Sequence, residues 1–175
     1  FANYAFNKAH AVSYAIVTYW TAYFKYHYPR EYMAALLTSV LDSSDKVAAY
    51  IGECKEMGIP FLPPDVNESG PDFTVVAEGI RFGLVGVKGV GRGLIDAMAA
   101  EREKNGLFRS FQDFCERMYD HDLNRRALEN LIRCGSFDSM KVRRSQLLAV
   151  MNPVMDGIAA ARKRNLEGQF DLFGG

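Results

Sequence analysis

Cysteine is scarce in this 175-residue chain. Cys54, Cys115 and Cys134 are odd in number and irregularly spaced, which excludes a disulfide framework and gives no zinc-ligand pattern. They read as small buried apolar residues of a reducing cytoplasm, the expected location. The three histidines, His10, His27 and His121, are equally dispersed and argue against a His/Cys metal site. Charge of one sign is lacking too: 21 Lys and Arg balance 21 Asp and Glu, so a uniformly basic nucleic-acid coat is excluded and only local patches remain. No apolar run approaches the roughly 20 residues that span a bilayer, and no signal peptide precedes the first helical pattern. The acids are spread along helices without a paired arrangement that would hold metal. No Ser-His-Asp or Cys-His set is evident, so no catalytic residue is assigned. The chain starts at Phe1 without methionine, and the expectation is a piece of a larger protein, monomeric by itself.

What is present is enough apolar surface to fold: 49% of residues are hydrophobic and 13% aromatic, sufficient for one good core or two small ones. Asn7 is placed to cap a helix from about Lys8 to His27, whose apolar residues cover more than one stripe. A helix of that kind is normally buried or sandwiched. Pro29 suits the first turn of a second helix, Ser44 or Asp45 can cap a third, and Gly58 ends it. Three prolines between Ile59 and Asn67 predict an extended surface boundary. Phe73–Val76 and Ile80–Phe82 flank Ala77-Glu78-Gly79 as a small β-hairpin. Beyond Gly93 a helix runs to about Asn105. Ser110 with Asp113, and Asn124, are caps for two more helices, the latter ending at Gly135. Helical stretches at Arg143–Met151 and Pro153–Arg164 follow, then a tail, 165–175, without helical pattern.

The stretch Val87-Lys88-Gly89-Val90-Gly91-Arg92 has the strongest local character. Two glycines around one apolar residue allow a tight turn with positive φ, and Val90 is placed to pack inward. Such a segment is either a plain turn between helices or an anion cradle, in which backbone N–H groups at a helix start hold a phosphate, aided by Lys88 and Arg92. From His121 to Arg164 nine Lys or Arg stand against four Asp or Glu, a basic patch or an ordinary solvated face. The tail carries Phe170, Leu172 and Phe173, which need a covering partner or fold back on their own domain.

Several ordered motifs resemble the C-family replicative DNA polymerases, the bacterial polymerase III alpha subunits. Tyr4–Ala11, Tyr14-Ala15, Tyr23-Phe24-Lys25 and Tyr28-Pro29 are similar to the family's fingers. Leu62–Ser69 and Ile80–Leu84 resemble its next segment, Val87–Gly91 its helix-hairpin-helix, and Gln169-Phe170-Asp171-Leu172-Phe173 its clamp-binding pentapeptide. The resemblance implies a mainly α architecture: a helical distal fingers portion (1–58), a proline-rich connection (59–72), a helix-hairpin-helix unit with one small β-hairpin (73–164), and a flexible tail (165–175).

It further implies contacts of Asn7, Lys8 and His10 with incoming nucleotide or template, although Asn7 and His10 can equally serve only the helix start. Lys88, Gly89, Val90, Gly91 and Arg92 would bind duplex DNA backbone without reading sequence, with Arg125, Arg126, Lys141, Arg143 and Arg144 as unassigned helpers. Gln169, Phe170, Asp171, Leu172 and Phe173 would dock the sliding clamp. The rest of the polymerase holoenzyme would be a further partner. The family's Mg2+-binding aspartates lie on the palm, upstream of Phe1, so the chain has no cofactor of its own and is expected to be inactive alone. A protein-only adaptor is the competing class: it would keep the tail but show no salt-dependent DNA affinity.

Overall fold

A computed structural model describes the backbone of residues 8–173 and the side chains of residues 8–164. Asn7, expected to cap the first helix, lies outside the described residues. The chain folds as α1 (Lys8–His27), α2 (Pro29–Ser39), α3 (Ser44–Glu56), β1 (Phe61–Leu62), β2 (Thr74–Val76), β3 (Gly79–Arg81), α4 (Arg92–Asn105), α5 (Phe111–Met118), α6 (Arg125–Cys134) and α7 (Arg144–Phe173). The mainly helical class read from the sequence is what the structure has.

Two cores organise these elements. In the first, Met33 and Leu37, one turn apart on α2, meet Cys54 of α3, Ile59, Phe73 and Ile80. The sheet therefore packs on α2 and α3. Ile80 lies on the central strand, with Val75 opposite on antiparallel β2 and Phe61 opposite on β1. The proline-rich stretch, expected to run extended across the surface, is extended, and within it Phe61 and Leu62 form a half-buried strand parallel to β3, because Pro60 and Pro63 fall outside it and remove no ladder donor. The Ile80 N–H donates to the Pro60 carbonyl at 2.9 Å, and a Cβ at Gly79 would overlap that carbonyl. Glycine at 79 is what lets β1 approach.

The second core gathers Leu84, Val87, Val90, Leu94, Ile95 and Met98 with inward residues of α5, α6 and α7. Phe108, Phe114, Phe137 and Phe111 form an edge-to-face chain with centroids 4.9 to 5.2 Å apart. Local capping works as the residue types predict: Ser110 Oγ accepts from the Asp113 N–H at 3.1 Å, and Asn124 Oδ1 from the Ala127 N–H at 2.9 Å. Arg117 locks α5 to the end of α4. Its guanidinium donates to Glu101 Oε1 at 2.8 Å and to the Gly106 carbonyl at 2.8 Å, and lies 4.4 Å from the Phe108 ring centre.

The segment Asp65–Ser69 fastens the two cores together. Asn67 clasps the Phe108 backbone with both ends of its amide, accepting at 2.8 Å and donating at 3.0 Å. Ser69 Oγ accepts from the Asp65 N–H and donates to the Phe82 carbonyl, and Arg102 donates to the Val66 carbonyl. The Phe82 ring packs against both cores.

Other expectations are corrected. None of the residues of α1 is buried, although a helix so apolar was expected to be enclosed; α2 covers one side, and an ion pair from Lys25 to Glu53 ties α1 to α3. The N-cap of α3 is Ser43, not Ser44 or Asp45, and it makes no side-chain capping bond. A single 3-10 turn, Leu84–Gly86, precedes the glycine hairpin, where a turn between two helices or a helix-hairpin-helix calls for a helix. The two helices expected after Lys141, and the expected loose tail as far as Phe173, form one helix, α7, with Pro153 inside it. Proline withholds only one donor, the partner of the Ala149 carbonyl, while buried Leu147, Met151, Met155 and Ile158 carry one apolar stripe across it.

Candidate nucleic-acid interface

The hairpin between the 3-10 turn and α4 is built on two buried valines. Val87 and Val90 are only 6% and 8% exposed, and the Val90 N–H donates to the Val87 carbonyl at 3.2 Å, closing a four-residue turn. Lys88 and Gly89 are thereby held at the exposed tip. Gly89 has φ +80°, the sign that a type II turn requires at its third position. Gly91 differs from expectation: its φ is −74° in extended backbone, and a Cβ there would meet nothing within 4 Å. Of the two glycines, only Gly89 needs positive φ.

Gly91 is the N-cap of α4 and offers no side-chain cap. The Ile95 N–H reaches the Gly91 carbonyl at 3.2 Å, which leaves the N–H groups of Arg92, Gly93 and Leu94 as the orphan donors of the helix start. Gly91, Arg92 and Gly93 are all exposed, and no acid occupies the first turn. An anion can approach this end along the dipole. Arg92 itself lies 3.9 Å from both Asp72 and Asp96, so its charge is partly balanced.

Helix α6 stands behind the hairpin. Asn130 Nδ2 donates to the Lys88 carbonyl at 2.7 Å, and a Cβ placed on Gly89 would lie 2.8 Å from that same nitrogen and 3.8 Å from Arg126 Nε. Glycine is thus required at 89 by space as well as by φ. Sequence reasoning missed Asn130, and no local signal marks it: it stands 42 residues from Lys88, and the contact exists only in the folded chain.

The structure sorts the basic patch. Arg125 donates to Asn152 and Asp156, both at 2.5 Å, Arg133 pairs with Glu129, Arg144 with Asp138, and Arg162 with Asp120. The side chains of Arg126, Lys141 and Arg143, like that of Lys88, make no ion pair among the described residues. Bonding to Arg144 holds the Asp138 carboxyl below its ordinary value, and bonding to Arg117 does the same for Glu101. Burial pushes the Cys115 thiol up to about 12 and raises Cys54 as well, so neither supplies a thiolate at neutral pH.

The other sequence candidates fall elsewhere. Lys8 and His10 lie exposed at the start of α1, with the His10 ring 4.5 Å from that of Tyr14. Gln169, Phe170, Asp171, Leu172 and Phe173 belong to the last turns of α7, and their side chains lie outside the described residues. Among the described residues no three His, Cys, Asp or Glu side chains gather to hold a metal ion. No helix among the described residues is long and apolar enough to cross a membrane.

A buried-valine turn feeding a helix N-terminus, backed by a second helical pair, is the helix-hairpin-helix arrangement. Residues 58–147 match the helix-hairpin-helix motif family, and the chain belongs to it. Along its whole length the chain is also similar to one kind of larger protein. It is 48% identical over 175 residues, all of this chain, to the DNA polymerase III subunit alpha of Saccharopolyspora erythraea. It is 49% identical over 173 residues, 99% of this chain, to that of Thermus aquaticus and 45% identical over 174 residues, again 99%, to that of Mycobacterium tuberculosis. The chain spans 14–15% of the length of these curated relatives.

Proposed function

We propose that this chain is a DNA-holding, non-catalytic part of a replicative DNA polymerase, binding duplex backbone through the 87–93 hairpin and α4 start. The observation that carries this reading is the hairpin itself: Val87 and Val90 anchor it from below while Lys88, Gly89 and the free N–H groups of α4 face outward without a carboxylate at the tip. Phosphate oxygens accept from those N–H groups, and the ammonium of Lys88 adds attraction. No large side chain stands between backbone and ligand at Gly89, Gly91 or Gly93. Such contacts position a duplex without reading its bases.

The test is anisotropy of a labelled duplex with the whole chain, using two unrelated sequences at about 50 and 200 mM salt. Equal affinity for both sequences and a steep fall with salt are expected. Affinity that ignores salt would overturn the reading and favour the protein-only adaptor, a class to which the bare aromatic face of α1 also lends support.

Two further contacts belong to the same proposal. Gln169–Phe173 docks the sliding clamp, with Leu172 and Phe173 entering an apolar pocket; Leu172→Ala with Phe173→Ala then abolishes clamp binding in calorimetry and leaves DNA affinity intact. An extended docking mode opens only the last turns of α7, and helix ends fray at small cost. Asn7, Lys8 and His10 contact nucleotide or template beside the remainder of the polymerase, which also covers α1; the magnesium-dependent chemistry resides in that remainder.

A further inference from the structure

We propose that α6 completes the hairpin's grip on DNA: Arg126 is a second phosphate-binding cation, and Asn130 is a positioning residue that fixes the Lys88–Gly89 peptide. The proposal rests on the hairpin reading above and adds residues from a helix that lies more than 30 positions further along the chain.

Arg126 is singled out by what its neighbours do. Arg125, Arg133 and Arg144 are each engaged by a carboxylate, whereas Arg126 is exposed, has no ion pair among the described residues, and sits beside Gly89. It also occupies the first turn of α6, where the helix dipole is positive and a cation is disfavoured. An arginine kept there beside another unpaired cation, Lys88, concentrates positive potential at one spot. A phosphodiester is the ligand that relieves it, and guanidinium suits phosphate geometry.

Asn130 lies one turn after Arg126 on the same face. Its bond to the Lys88 carbonyl orients a planar trans peptide, so the N–H of Gly89 points the opposite way, away from α6. That N–H has no partner among the described residues. The asparagine therefore turns a free donor toward the approaching backbone, and Arg126 takes a neighbouring phosphate of the same strand.

The experiment measures duplex affinity and its salt slope for the whole chain, alongside Arg126→Gln, Lys88→Gln, Asn130→Ala and Lys104→Gln, with melting temperature as the fold check. Lys104 is the charge control: it lies near the other end of α4, about 18 Å along the helix from Arg92, beyond the screening length at physiological salt. Arg126→Gln and Lys88→Gln are each expected to weaken binding about three- to tenfold and to flatten the slope of log K against log salt by about 0.9. Asn130→Ala is expected to weaken binding with that slope and the melting temperature little changed. Lys104→Gln should change nothing.

Salt-dependent binding that Lys88→Gln weakens, while Arg126→Gln matches the unmutated chain or Lys104→Gln, would overturn the role of Arg126 and leave the hairpin reading standing. Unchanged affinity in Asn130→Ala would overturn the positioning role. Absence of salt-dependent binding in the unmutated chain would remove the hairpin reading and this inference together.

Discussion

Of helices α1 and α6, α1 is the more apolar, yet it is α6 that sinks Ala127, Leu128, Leu131 and Ile132 into a core while α1 buries nothing. The difference lies in arrangement. On α6 the apolar residues share one stripe and the charges take the other face, so packing against α7 satisfies the whole helix. On α1, Tyr14, Tyr19, Trp20 and Tyr26 all remain exposed, Tyr26 at 81%, although α2 lies alongside. Apolar periodicity, more than apolar content, thus tells whether a segment's own chain buries it.

Substitutions test that contrast directly. The largest effect is expected from Phe114→Ala, which empties the centre of the edge-to-face chain and should cost about 4 kcal/mol in urea unfolding. Arg117→Ala should destabilise less than that, because it removes the donor to the half-buried Glu101 carboxylate and to the Gly106 carbonyl while Asn105 still donates to Glu101. Gly89→Ala should cost about 1–2 kcal/mol through its positive φ and displacement of Asn130, and should weaken duplex binding as well.

Acid comes next. The carboxyls of Glu101 and Asp138 titrate lower in the fold than in the unfolded chain, so the stability they contribute is present above the ordinary carboxylate range and fades as pH falls through their lowered values. Unfolding followed from pH 6 down to pH 2 in Arg144→Gln should show a smaller acid loss than in the unmutated chain. The smallest effect is expected on the bare helix: Trp20→Ala should change stability by no more than about 0.5 kcal/mol. A cost above about 2 kcal/mol there would mean that α1 belongs to the core after all.

Legibility followed the range of the interaction. Ser110, Asn124 and the glycine turn act within four residues, and their chemistry could be read from neighbours alone. The parallel pairing of β1 with β3 could not, since two residues between prolines carry no strand pattern and the partner lies 19 positions away. Continuity of α7 was misjudged because Pro153 is a strong local break signal, yet the four-residue spacing of Leu147, Met151 and Met155 was visible across it. At the candidate site, Val90 and Gly89 stood out by type, while Asn130 and the sorting of the arginines depend on partners as distant as Asp156 from Arg125.

With the Phe82 ring shared by both cores, the two halves are expected to open together in exchange of backbone hydrogens. Opening the sheet exposes a face of the second core, so amides of β3 should exchange with solvent only as fast as the protein opens as a whole. Anything that loads the hairpin with a ligand would then slow exchange in β3, whose neighbour Phe82 lines one hollow with Lys88 and Asn130.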